Sequence, residues 1–515
     1  MSSEITISDF SGGLNLADPT IIADNDLADA TNVYYDNQGI LSTRKGIEDF
    51  GNNIATAAGI HSIYFTQFSN GNRYLLLGEG TNLRLYNETT MDWDILKADL
   101  TDGLRLSFIT YKDNIYLTNG TDEVQHYDGA ALAALPAVTK CRYLAVDKDV
   151  CYGCGVDAPP YNLLYTAPGD ELKNGDFANE GPIDSSAESN ATSLKVFNGK
   201  ATVGTERGVY VADVFGAAFE TVKIDYNGDV ISNRSVINVE NDQLFLSTNG
   251  YYSMSQRRGA TGSYRADSFS KPIQKLIDRV EDKTTAAAHY YKKNNNVYLS
   301  INDGGDRNNS LYVYSVLVSS PSSRKYVWTK YENINANDFC EYVDADGDTH
   351  LLAANAFGGQ VVEIETGYSD NGIEILSRVK TKTFDFDAAE MYKTFARVDV
   401  GGLVSQAAVI SYCLEVDGVE TCKSFEGASY AYGEAADDFS IGEEPLGENV
   451  LGGGAVTQDG VTYFPYVNRR YPYQSGYRMA IKLESNTRNA PWKFTKANID
   501  IVAEPTDAFY NNYIS

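Results

Sequence analysis

Histidines, cysteines and grouped carboxylates are what a reactive or metal-binding site would be built from, and their spacing here offers little. The four histidines, His61, His126, His289 and His350, stand far apart, none at metal-ligand spacing from another or from a cysteine. Cys151-Tyr-Gly-Cys154 has the spacing of a redox or zinc pair. A zinc site needs a second ligand pair and a thioredoxin-like site needs a strand-helix-strand setting; the sequence supplies neither, so these read as two cysteines of a strand or turn. Asp344-Ala-Asp346-Gly347-Asp348 opens like a calcium loop, but an EF-hand puts glycine sixth and glutamate twelfth, and here glycine is fourth and Asn355 twelfth. A hairpin turn is the simpler reading.

Cys413 and Cys422 lie symmetrically about Asp417-Gly418, a strong two-residue hairpin turn. Counting outward, 416 with 419 is the hydrogen-bonded pair, which sets 413 opposite 422 at a non-hydrogen-bonded site, where side chains approach most closely. The two are expected to be adjacent, and reduced in a cytoplasmic product. No Gly-rich loop runs into Lys and Ser or Thr, and no dinucleotide fingerprint follows a strand. Many sugar-cleaving enzymes are propellers with paired carboxylates. With 70 acidic residues some pair lies close by chance, yet no Ser-x-Asp-x-Gly-x-x-Trp box repeats, and Trp occurs only at 93, 328 and 492. The expectation is a non-enzyme with no catalytic residue, cofactor or metal. A carbohydrate-binding or carbohydrate-hydrolysing propeller at a host surface is the alternative, because the 37 tyrosines offer rings for sugars to stack on.

The elements that would position such residues are strands. Hydrophobic residues make up 43% of the 515 and aromatics 12%, with 37 Tyr against 5 Met, a balance suited to half-buried pleated surfaces. The net charge of -28 is spread along the chain; it disfavours phosphate-backbone binding and suits a passage through which DNA slides without sticking. No apolar run is long enough to span a bilayer, and the first ten residues lack the features of a signal peptide. Six cysteines in this length make no disulfide framework. Cytoplasmic synthesis follows.

Between residues 60 and 372 a pattern recurs, two short alternating runs around a polar turn, with turns near Gly71, Asp113, Lys148, Gly199, Asp242, Asn295 and Gly347. Intervals from 35 residues (Asp113 to Lys148) to 53 (Asp242 to Asn295) bracket the length of a four-stranded blade. The predicted fold is all-β: a propeller of about seven blades, six to eight, over 51–372, with an N-terminal arm (1–50, a short helix and a closing strand) and a C-terminal antiparallel β-domain (373–515). One or two irregular sandwiches would be the rival fold. Closing the repeats into a ring covers both faces of every small sheet.

A helical insertion is expected near 256–285. Ser270 is a candidate N-cap, Pro272 sits in the first turn, and Ile273, Leu276, Ile277 and Val280 follow amphipathic spacing. The stretch is net positive in an acidic chain. It reads either as a solvated loop with a packed helix or as an inter-subunit or portal-side contact made by Arg257, Arg258, Arg265, Ile273, Leu276 and Ile277. A long Gly- and acid-rich loop is expected near 437–456. On this division, deleting 376–515 should leave a soluble monomeric propeller.

The N-terminal segment is the most specific part of the chain: Phe10-Ser-Gly12-Gly13-Leu14-Asn15, Asp18-Pro19, Asp24-Asn25-Asp26, Asp29-Ala-Thr-Asn32-Val33, Gly39, Leu41, Arg44 and Gly46. Looser matches follow at Lys271-Pro272-Ile273, Ala288-His-Tyr-Tyr291, Lys380, Lys382, Phe384, Pro445-Leu446-Gly447 and Arg478-Met-Ala-Ile-Lys482. In these residues the chain resembles the tail-hub, tail-nozzle and tail-stabilisation proteins of short-tailed bacteriophages. The resemblance implies a structural virion protein, a propeller-bearing subunit of a homo-oligomeric ring, six-fold in that family. It would sit in the tail below portal and adaptor, line the DNA exit channel without sequence-specific DNA binding, anchor fibres or spikes, and insert no segment in a membrane. From the residues themselves the arm reads as an extended entry, a short helix capped by Asp24 or Asn25, and a strand from Ile40 that joins the first or last blade and locks the ring.

Overall fold

Seven tight turns organise the middle of the chain, and each stands where the backbone must become left-handed. Lys112-Asp113, Lys148-Asp149 and Asn198-Gly199 have two successive residues at positive φ, the hairpin geometry that matches the twist of paired strands. Gly71, Glu240, Asn295 and Gly347 take positive φ at the equivalent turns. The fifth turn falls at Glu240 and not at Asp242, which begins the next strand.

In the computed structural model these hairpins open seven small antiparallel sheets. The structure describes residues 2–503 apart from 37–38, 57, 185–188, 217–218, 225, 227, 255–265, 321–324 and 428–454. The inner strands of blades 1 to 7 are Ile60–Gln67, Ser107–Tyr111, Tyr143–Asp147, Ala191–Phe197, Ile237–Val239, Ala287–Tyr291 and Ala336–Val343. Six blades are separate four-stranded sheets, and blade 6 continues into a larger one. An apolar cluster fills each gap between successive blades. Leu76 and Leu83 meet Ile115 and Leu117 between blades 1 and 2; Tyr152 and Leu163 meet Val203 and Tyr210 between blades 3 and 4. Cys340, Tyr342 and Leu352 meet Ile63, Leu75 and Trp93 between blades 7 and 1. That last contact makes the arrangement a ring: an all-β propeller in which both faces of every blade are covered.

Blade 7 takes its outer strand from the N-terminus. Gly46–Ile54 pairs antiparallel with Gly359–Thr366, Ile47 opposite Ile364 and Asp49 opposite Val362. The closing strand therefore starts after Arg44 and runs past residue 50. The segment from Ile40 does something else: Leu41–Thr43 pairs with Val33–Tyr35 and with the C-terminal strand Trp492–Ala503. The short helix expected near Asp24 does not form. Asp26–Thr31 is a strand held between the outer strand of blade 6 (Trp328–Tyr331) and Ser377–Thr381. Sheet partners on both sides outweigh a helix too short to repay its nucleation.

Beyond blade 7 the chain builds two further sheet layers. One prolongs blade 6 through Asp26–Thr31, Ser377–Thr381, Met479–Ser485, Val409–Val416 and Val419–Glu426. The other is laid down around Lys393–Ser405 and Trp492–Ala503, with Ser2–Ile7 added along the latter. Their apolar faces share one core with blades 5 and 6: Val398, Val400, Ile499, Ile410, Leu414 and Leu483 belong to the same cluster as Leu246, Tyr251, Leu299 and Trp328. Removing 376–515 would strip the cover from that core and the neighbour from the arm, which argues against a clean separation of the two parts. The helical segment is a 3-10 turn, Lys271–Ile273, followed by the helix Gln274–Arg279. Ser270 does not cap it; its hydroxyl accepts the Tyr251 N–H at 2.9 Å. The expected loop at 437–456 falls largely outside the described residues.

Candidate functional site

Nine residues of the N-terminal signature, Phe10, Gly12, Gly13, Leu14, Asn15, Asp29, Asn32, Arg44 and Gly46, lie where the arm meets the propeller and the C-terminal sheets. Phe10 is buried and stacks on Phe494, centroids 4.3 Å apart, and Leu14 is buried beside it. A Cβ on Gly12 would stand 2.1 Å from Asp26 Oδ1, and one on Gly13, at φ +76°, 2.8 Å from the Trp328 backbone. Only glycine allows that approach. Asn15 Nδ2 donates to Asp26 Oδ2 at 2.7 Å, and Asp29 faces Arg378 at 3.3 Å. A Cβ on Gly46 would meet the Ser369 carbonyl at 2.0 Å.

Arg44 is the centre of this joint and is fully buried. Its Nε donates to Asn32 Oδ1 at 2.9 Å; Nη1 donates to Lys45 O and Asp370 Oδ1, both at 2.8 Å; Nη2 donates to Glu332 O at 3.1 Å and Asp370 Oδ2 at 2.6 Å. All five N–H groups are satisfied, the condition under which a buried guanidinium is tolerated. Asn32, at φ 55°, donates to Leu376 O at 2.8 Å and accepts the Glu332 N–H at 2.8 Å. The signature thus ties the arm to the edge of blade 6 and to the segment that leaves blade 7.

The other residues singled out from sequence behave differently. Arg257, Arg258 and Arg265 lie outside the described residues. Ile273, Leu276 and Ile277 are fully buried in the core under the C-terminal sheets, so they are packing residues and not a contact surface; the amphipathic stripe is consumed within the chain. Cys413 and Cys422 are directly opposed, as the register count requires, and are joined in a disulfide, not reduced. Cys151 and Cys154 share one strand and point into different cores. Burial pushes the Cys151 thiol up to about 12 and the Cys154 thiol well above its usual range, which makes both poor nucleophiles. Asp344 Oδ1 accepts the N–H groups of Asp346 and Asp348 at 2.9 Å each, so this carboxylate organises its own turn. The histidines are held locally: His126 by Asn114, His289 by Glu341, His350 between Glu363 and Asp344.

A concentration of unusual electrostatics lies on the propeller axis. Arg234, just ahead of blade 5, reaches across the opening: Nη2 donates to Ser62 Oγ of blade 1 at 3.0 Å and to Leu106 O ahead of blade 2 at 2.7 Å, and Nη1 pairs with Asp338 of blade 7. Arg105 crosses to Thr285 O, ahead of blade 6, at 2.7 Å. Two guanidinium groups therefore bridge the propeller's own hole. Lys195, on the inner strand of blade 4, is close enough for the charge of Arg234 to act on it; burial and that charge push its ammonium down to about 8. Burial lowers Arg105 to about 10, and burial with Arg234 lowers His61 to about 4, so His61 is neutral. Sequence reasoning missed this group because its members stand singly in, or just ahead of, different inner strands; only blade register brings them together.

A second feature is a bare rim on the C-terminal sheets. Val419–Glu426 ends its sheet among the described residues, and every member but Phe425 is exposed. Nearby, Asp417 at the head of this hairpin accepts the N–H groups of Tyr477 and Arg478. Tyr473 is 69% exposed, Tyr471 57% and Val419 67%. Among the described residues no helix is long and apolar enough to cross a membrane.

No protein-family model matches the sequence, and no curated protein matches it. Among solved structures, the WD40 domain of Neurospora crassa Pan2 is similar over 63% of this chain and 97% of that one, at 11% identity and a TM-score of 0.40. The extracellular domain of a putative one-component system from B. thetaiotaomicron is similar over 63% of this chain and 40% of that one, at 11% identity and a TM-score of 0.37.

Proposed function

We propose that this chain is a non-enzymatic structural subunit of a bacteriophage tail, a hub or nozzle protein. It assembles into a homo-oligomeric ring, six-fold in the family it resembles, beneath portal and adaptor, and carries fibres or spikes. The supporting observation is that Phe10, Gly12, Gly13, Leu14, Asn32, Arg44 and Gly46 of the tail-protein signature are buried where the arm meets the propeller and the C-terminal sheets. A ring needs two different contact patches on every subunit. The open strand Val419–Glu426 with the exposed tyrosines supplies one, and the blade edges supply the other. Because Arg234 and Arg105 bridge the propeller axis, DNA would pass between subunits and not through any one of them. A net charge of -28 keeps such a passage from holding it.

The test is immunogold labelling of the phage particles whose genome encodes this chain. Gold at the tail just below the head is expected; unlabelled tails would reject the assignment. The exposed Tyr471 and Tyr473 also suit stacking on sugars. A glycan array on the pure protein separates that reading: binding lost in Tyr473→Ala would favour a carbohydrate-recognising propeller.

A further inference from the structure

The axial cations are not balanced by the groups around them. Asp338 pairs with Arg234 and also accepts the Ile63 N–H at 2.9 Å, so its carboxylate is committed. Among the described residues Lys195 Nζ has no hydrogen bond or ion pair, and the only charge acting on it is the like charge of Arg234. Arg105 Nη1 is buried with no acceptor, and the nearest carboxylate influence on Arg105, from Asp282, comes without contact. A cationic donor buried without an acceptor is costly; Arg105 Nη1 is such a donor, Lys195 is half-buried, and both feel the like charge of Arg234. In a chain of net charge -28, a net positive axis needs a reason.

We propose that the propeller axis binds one small tetrahedral oxyanion, of the size and charge of phosphate or sulfate, between the Lys195 ammonium and the guanidinium groups of Arg105 and Arg234. These groups come from blade 4, the entry to blade 2 and the entry to blade 5. The anion is a structural ligand that ties opposite sides of the ring together. It must be small, because the same two arginines bridge the opening and leave no path for a nucleotide or a nucleic-acid strand.

Equilibrium dialysis of the full chain against radiolabelled inorganic phosphate, in Tris chloride of constant ionic strength, tests this. The expected result is saturable uptake of about one phosphate per chain, displaced by sulfate but not by the same concentration of AMP. Lys195→Met and Arg105→Gln, each checked for native circular dichroism, should weaken uptake at least about tenfold, as loss of a charged hydrogen-bonding partner implies. Phosphate should also raise the wild-type melting temperature along a saturating curve, which separates site binding from the general stabilisation that phosphate gives any protein. No uptake by the wild type overturns the proposal whether or not the variants fold. Uptake undiminished in both variants, or displacement by AMP equal to that by sulfate, overturns it as well.

Discussion

Arg44 makes the strongest case at the scale of single residues. With five donors placed and Asp370 bidentate, lysine cannot replace it, since one ammonium cannot serve both Asn32 and the fork of Asp370. Arg44→Lys should cost about 3 kcal/mol in urea unfolding. Asp370→Asn should cost a similar amount, and the double variant clearly less than the two losses added. Strict additivity would show that the pair does not act as a unit. His61 carries a pH signature. Its folded-state pKa, near 4 through burial and Arg234, lies below the 6.5 of an exposed imidazole. The unfolded chain therefore binds the extra proton, and stability present above pH 6.5 is lost as pH falls toward 4. The stability advantage of the wild type over His61→Gln should shrink by on the order of 2 kcal/mol between pH 7.5 and pH 4.5; a constant advantage would contradict a buried neutral His61. Asp242, raised to about 6 by burial, acts with the opposite sign but cancels in that comparison. Reading residues from sequence worked where geometry is local, as with Cys413 and Cys422 across a two-residue turn. It failed for Arg105, Lys195 and Arg234, whose proximity depends on ring closure.

Elements were legible where their hydrogen-bond partners are close in sequence. The seven blade hairpins could be found because Gly, Asn, Asp, Lys or, in blade 5, Glu at a left-handed turn separates two alternating runs. The arm was not legible in the same way. Whether Asp26–Thr31 becomes helix or strand is decided by Trp328–Tyr331 and Ser377–Thr381, both hundreds of residues away. The stripe Ile273, Leu276, Ile277 correctly signalled a helix, but amphipathicity does not say whether its cover is a partner or the chain itself. Since the C-terminal sheets share the core of blades 5 and 6, a chain ending at residue 375 should be recovered aggregated, or degraded by trypsin at a concentration that leaves the full chain intact. A monodisperse, protease-resistant fragment would mean that the propeller stands alone. The hairpin carrying the disulfide is different: its outer strand is exposed, so Cys422→Ser should lower stability by about 2 kcal/mol, the loop-closure value for a short loop, without changing the elution volume of the folded chain.

At the scale of the whole molecule, the propeller is bridged across its axis, closed by its own N-terminus and capped by sheets that, among the described residues, leave an edge strand and tyrosines bare. Such an edge invites pairing unless something occupies it, and a ring of like subunits is the arrangement that occupies it on every copy at once. The direct measurement is mass photometry of the full chain from nanomolar to micromolar concentration, followed by negative-stain microscopy of the largest species. The expected species is a closed assembly whose mass is a whole multiple of 56.5 kDa, six in the arrangement proposed, seen as a ring with a central hole and dissolved by Val419→Asp with Tyr473→Asp. A single 56.5 kDa species at every concentration, with no ring in the micrographs, would contradict it.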